Sequence, residues 1–155
     1  MRTIAPEELQ RRFPKLRPDN WARRSKANPR YNCLAFANGD DRHSWDPFQY
    51  GGRYYWPPGV NRDVNADTWE QIFLNKGFEG TESREVESGF EKVAIYVSLT
   101  DLSANHVAMS DGHEWISKLG KGQDIMHASL DLLEGNEGDE YGLVDRILRK
   151  RLEPQ

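Results

Sequence analysis

The chain has 155 residues and 17.9 kDa, with 37% hydrophobic, 30% charged and 11% aromatic residues and a mean hydropathy of −0.85. Five Trp argue against a disordered chain, and this length fits one domain able to bury roughly 70% of its unfolded surface. The longest apolar run, Val93 to Val97, is far short of the roughly 20 residues that span a bilayer, and Met1–Glu8 has no apolar signal stretch, so a cytoplasmic protein that meets no membrane is expected.

Cys33 is the sole cysteine, which excludes an internal disulfide and a four-cysteine zinc site. Neither a metal nor a cofactor is expected. The net charge of −4 is unevenly spread: residues 1–30 hold nine Lys/Arg against three Asp/Glu, a local +6, and the remainder carries −10. That sets a basic N-terminal arm (1–30) against the body (31–155) of a single domain. The arm reads as folded on the acidic body, or as a handle for a protein partner. Nucleic acid is disfavoured, since charge alone reports no groove or motif.

In chain order, Pro6 to Phe13 reads as a short helix with acids in its first turn, and Pro14, Pro18 and Pro29 make 14–31 an extended arm. Asn32 is a good N-cap for a short buried helix that opens on Cys33 and stops at Asn38-Gly39. Residues 40–62 form a long Pro-rich aromatic loop, and Asn65–Lys76 an amphipathic helix through Trp69, Ile72 and Phe73, ended by Gly77. Phe90–Val97 is the best strand. Asn105–Leu119 reads as a hairpin about Asp111-Gly112, with a two-residue loop that sets His106 opposite Ser117 and Ala108 opposite Trp115. Gly120-Lys121-Gly122 breaks the chain, Asp124–His127 forms a short strand, Ser129 caps a turn through Leu133, and Tyr141–Leu152 is a last strand. Helices first and strands later give an α+β class with an antiparallel sheet.

The chemistry centres on Cys33. A cysteine at a helix start meets unpaired N–H groups and the positive end of the dipole, which favour thiolate, and a nucleophilic cysteine needs a base such as His106 beside it. The competing reading is a small buried hydrophobe among Leu34, Ala35 and Phe36. His43 and His113 read as polar loop and hairpin residues. A zinc site of Cys33, His106 and His127 matches no familiar spacing.

Asn32-Cys33 opening an apolar helix, His106-Val107-Ala108 opening a strand, and Ile125-Met126-His127-Ala128 further on resemble the NlpC/P60 branch of papain-like thiol hydrolases. Blocks such as Trp115-Ile116-Ser117-Lys118 and Tyr141-Gly142 also resemble an uncharacterised bacterial family. The resemblance implies a papain-like fold, with N-terminal helices packed on an antiparallel sheet. It makes Cys33 the nucleophile, His106 the base and His127 the orienting third residue, with a peptide or other amide as substrate. Ser117, which the hairpin pairing puts beside His106, is the alternative third member, and Asn32 a support for the oxyanion. Trp45, Tyr54, Tyr55, Trp56, Trp115 and Lys118 would wall the cleft. Asn32 stands where that family has Asp, Leu34 where it has Ser or Gly, and His106 to His127 is a longer interval than usual. The alternative function is a catalytically silent module that binds a protein or nucleic acid.

Overall fold

Caps and breakers set the helices. In the computed structural model, which describes residues 3–120 and 122–153, Pro6 begins α1 (Pro6–Arg12), with Glu7 and Glu8 in its first turn. Asn32 caps α2 (Cys33–Ala37) by accepting from the Ala35 amide, and Asn65 caps α3 (Ala66–Leu74) by accepting from that of Asp67. Gly77, at φ 94°, ends the last of these as expected. Lys121, inside the expected chain break, and Met1 and Arg2 lie outside the described residues.

The strands are β1 (Trp21–Arg23), β2 (Ser44–Trp45), β3 (Tyr54–Tyr55), β4 (Glu79–Thr81), β5 (Phe90–Val97), β6 (Ala104–Ser110), β7 (Trp115–Lys118), β8 (Asp124–His127) and β9 (Leu143–Arg151), with a 3-10 turn at Leu130–Leu133. Seven of them form one sheet in the order β1-β8-β7-β6-β5-β9-β4, while β2 and β3 make a separate parallel pair. All neighbours in the large sheet run antiparallel.

This overturns the papain-like expectation. The molecule is built on its sheet, and three helices of 7, 5 and 9 residues do not make a helical layer. Strands are not confined to the second half: the three prolines of the arm forbid helix there, yet leave Trp21–Arg23 free to zip onto the edge of β8 through Trp21↔His127 and Arg23↔Ile125. On the other edge, Glu79–Thr81 of a polar stretch pairs with β9.

The hairpin register also differs from expectation. Ser110 pairs with Trp115 and Met109 with Ile116, so four residues, Asp111–Glu114, form the loop. A two-residue type I′ loop needs positive φ at both positions, and only Gly112, at 96°, supplies it. Asp111 instead accepts from the amides of His113 and Glu114 through its own Oδ1, which widens the turn. The shift is two residues, so every side chain keeps its face.

Alternation along the strands divides the core in two. On one face Val93, Ile95, Val107 and Leu148 pack beneath Cys33, Leu34, Ala35, Trp45, Trp56 and the α3 residues Trp69, Ile72 and Phe73. On the other, Ala94, Tyr96, Ala108, Trp115 and Ile125 are covered by Leu9, Phe13 and Leu16 of the N-terminal arm and by Leu130, Leu132 and Leu133. The basic arm is thus built into the body, with ion pairs Lys15–Glu140, Arg12–Asp139 and Arg24–Asp124. No helix among the described residues is long and apolar enough to cross a membrane.

Candidate active site

His106, Ser117 and His127 come from three consecutive strands and share the face that carries Tyr96 and Trp115. All three are buried, His106 to 1% exposure, and they form one chain of hydrogen bonds. His106 Nε2 is 2.9 Å from Ser117 Oγ, Ser117 Oγ is 2.8 Å from His127 Nε2, and His127 Nδ1 is 2.9 Å from the Ser129 carbonyl.

Counting protons fixes every member of that chain. The Ser129 carbonyl only accepts, so His127 Nδ1 donates and its Nε2 carries a lone pair. Ser117 gives its single hydroxyl proton to that lone pair and accepts from His106 Nε2–H. The lone pair of His106 therefore lies on Nδ1, which hydrogen-bonds to none of the described residues. Burial keeps both rings neutral: the His106 pKa lies well below its usual value, with His127 adding to the fall, and that of His127 is drawn down to about 4.

Tyr141 completes the setting. Its ring stacks on His106 with centroids 4.0 Å apart and planes 6° apart, and burial pushes its phenol pKa up. The backbone that places it turns at Gly142, φ 85°, where a Cβ would collide with the Val97 carbonyl oxygen. Tyr141 was absent from the expected site, although the Tyr141-Gly142 pair carried a signal for the sharp turn.

Cys33 sits at the first turn of α2, as expected, but on the other face of the sheet, with Val107 rather than His106. The pairing of β6 with β7 ends at Met109↔Ile116, so the strand edge at Val107 has no β7 partner there, and α2 packs against both strands. The amides of Val107, Leu34 and Cys33 itself lower the thiol pKa, as does Lys118, but burial outweighs them and the net shift is upward. Cys33 is 8% exposed and, among the described residues, no hydrogen bond joins it to His106.

Lys118 shares the Cys33 face and is fully buried. Its ammonium donates to the carbonyls of Asn28 and Gly120 and lies 4.7 Å over the Tyr31 ring. Burial draws its pKa down to about 8, against the pull of Cys33 and Asp124.

Asn32 does more than cap: its Oδ1 also accepts from the Trp45 amide and its Nδ2 donates to the Trp45 carbonyl, pinning the aromatic loop to the start of α2. The expected cleft is not assembled around Cys33. Trp45 and Tyr55 line a cavity of about 440 Å³ with α3, and neither it nor the cavities of about 770, 510 and 230 Å³ elsewhere is lined by Cys33 or His106. Trp56 is core, its Nε1 donating to the Asn61 carbonyl, and Trp115 is core on the opposite face, donating to the Arg84 carbonyl. Tyr54 lines none of these cavities and has an arginine, Arg53, over its ring.

Fold and site together define an antiparallel-sheet domain with a thiol on one face and a neutral histidine relay on the other. Residues 22–149 match the family described as a domain of unknown function (DUF7689), and the chain belongs to that family. No curated protein and no solved structure matches it.

Proposed function

We propose that this protein is a thiol hydrolase acting on an amide or peptide bond, with Cys33 as nucleophile, His106 as base, and Ser117 and His127 as the pair that fixes the base. The observation that carries the reading is the relay itself: three buried polar side chains, each satisfied, are spent on leaving one lone pair at His106 Nδ1. Buried polar groups cost stability where partners are missing, and the partners supplied here fix one tautomer and one ring orientation.

In this mechanism the thiol, held by the Val107 amide at the open edge of β6, reaches round that edge to the neighbouring His106, whose Nδ1 takes its proton as the sulfur attacks the carbonyl carbon. The C–N bond breaks, His106 returns the proton to the leaving amine, and a thioester remains on Cys33. Water, deprotonated by His106, then releases the acid and restores the thiol. Both resting groups are neutral, so His106 works as a general base and no preformed ion pair is required. Cys33 is buried where α2 packs on β6, so α2 must move off that strand for substrate to enter, and a reducing, cytoplasmic setting keeps the nucleophile a thiol.

The single thiol makes the test clean. Iodoacetamide modification of the folded chain at pH 7, followed by intact mass, should slow roughly ten-fold in His106→Ala. An unchanged rate would overturn the reading. Incubation with muropeptides and with a cell lysate, read as mass losses or one-dalton gains, then identifies the bond cut. The burial of Cys33 favours a second reading, a catalytically silent module whose basic arm grips a partner. Salt-sensitive binding that survives Cys33→Ala, without hydrolysis of either pool, is its signature.

A further inference from the structure

Away from Cys33, the cavity between the aromatic loop and α3 has its own chemistry. Its apolar lining includes the Trp45 and Tyr55 rings, tilted at 53° with centroids 5.0 Å apart, and the side chains of Val60 and Ile72. At about 440 Å³ it falls in the range of small-molecule sites.

Its polar groups are unbalanced. Asp40 is already saturated: Trp45 Nε1 donates to Oδ2 at 2.8 Å, His43 Nδ1 lies 3.0 Å from the same oxygen, and the amides of Arg42 and His43 donate to Oδ1. Asn75 has its Oδ1 occupied by Gln71 Nε2, at 2.7 Å, which leaves its NH₂ to donate. Lys76 has no ion-pair partner among the described residues; its ammonium lies 5.6 Å over the Trp45 ring and makes one long bond, 3.5 Å, to the Asn38 carbonyl. Lys76 is exposed at the rim, and partial burial lowers its pKa against the opposing pull of Glu91 and Asp40. Among the described residues the Asn75 NH₂ thus stands free of acceptors and the Lys76 ammonium free of counter-ions at close range, both set beside flat aromatic surface. A cation finds the Asp40 carboxylate, the one anionic group of the lining, already holding its donors. A ring that carries an anion finds both of its needs met.

We propose that this cavity binds a small aryl carboxylate, with its ring against Trp45 and Tyr55 and its carboxylate on Lys76 and the Asn75 amide. The site is independent of the Cys33 chemistry, and Cys33→Ala leaves it intact.

The test uses the full ¹⁵N-labelled chain and three matched probes, phenylacetate, phenylacetamide and benzylamine, followed at the indole N–H signals. The Trp45 signal is identified by its loss in Trp45→Phe. Phenylacetate should shift it saturably in the roughly millimolar range expected for a ligand of so few atoms, and the amide should bind about ten-fold more weakly. Lys76→Met should abolish the preference for the acid, and Lys76→Arg should keep it. Equal binding of acid and amide, tighter binding of the amine, shifts that leave Trp45 unmoved, or no saturable shift with phenylacetate would each overturn the proposal. The three-probe comparison on the unmutated chain stands even where a variant fails to fold.

Discussion

The two faces of the sheet at β6–β8 treat their polar groups in opposite ways. On the face of His106, each buried polar atom of the relay meets a complementary one, ending at a backbone carbonyl, and only one lone pair is left over. On the face of Cys33, an apolar cluster surrounds the thiol, and the buried Lys118 ammonium rests on two neutral carbonyls and a ring. The contrast separates two costs of burial. Burial favours the neutral form on both faces. A network of neutral groups that pair with one another holds its geometry at little penalty, whereas groups with partial partner sets gain no such order. Cys33 stays a thiol and Lys118 loses basicity on a face that offers no full set of partners.

The contrast is broken most sharply at Ser117. Ser117→Ala strands a donor on His106 and an acceptor on His127 in one step, and should cost roughly 4 kcal/mol in urea unfolding. A loss under about 1 kcal/mol would mean that water or a ring flip re-satisfies both imidazoles.

Acid attacks the same face. The folded pKa of His127, about 4, lies below the 6.5 of the unfolded chain, so the unfolded state binds the proton first as pH falls. Stability should be intact above pH 6.5 and fall progressively towards pH 4, by about 3 kcal/mol from His127 alone, with His106 acting in the same direction. Denaturant midpoints measured across that window, in the wild type and in His127→Gln, show whether the slope belongs to this ring; equal slopes would assign it elsewhere.

The thiol face should respond less. Asn32→Ala removes the cap of α2 and both ties to Trp45, for an expected loss of about 2 kcal/mol and a shifted Trp45 indole signal. Cys33→Ala removes one buried sulfur from an apolar cluster and should cost about 1 kcal/mol, with the slope against pH unchanged. A much larger loss would mean that the sulfur serves the fold as more than packing.

What could be read in advance was local. The Asn32 cap and the Asn38-Gly39 stop marked α2, Asn65 and Gly77 bounded α3, and β-branched density marked β5, because each signal acts within a few residues. Pairings between distant segments were not legible. Nothing near Trp21 says that it will meet His127, and nothing near Glu79 says that Arg149 will accept it as a neighbour. The papain-like layout failed for that reason: similar short motifs were strung on a chain whose long-range pairing is different. At the site, alternation within the hairpin correctly put His106 and Ser117 on one face, since a two-residue slip preserves parity. Which face α2 would pack against was a tertiary choice, and it went to Val107.

During synthesis the strand order of the sheet becomes a schedule. β5, β6, β7 and β8 are neighbours in space in the order in which they are made, so this meander closes from contacts between adjacent segments. β1 and β4 are finished earlier but sit at the two edges, and each needs a partner that comes much later: Trp21 waits for His127, and Gly80 for Leu148. Apart from the separate β2–β3 pair, everything before Phe90 therefore leaves the ribosome without its sheet, including the apolar Leu9, Phe13 and Leu16 that later cover one face of it. Separations of this length slow folding, because loop closure comes before any compensating contact. The N-terminal half is where a chaperone would find this chain, and where heat or crowding during expression would first turn folding into aggregation.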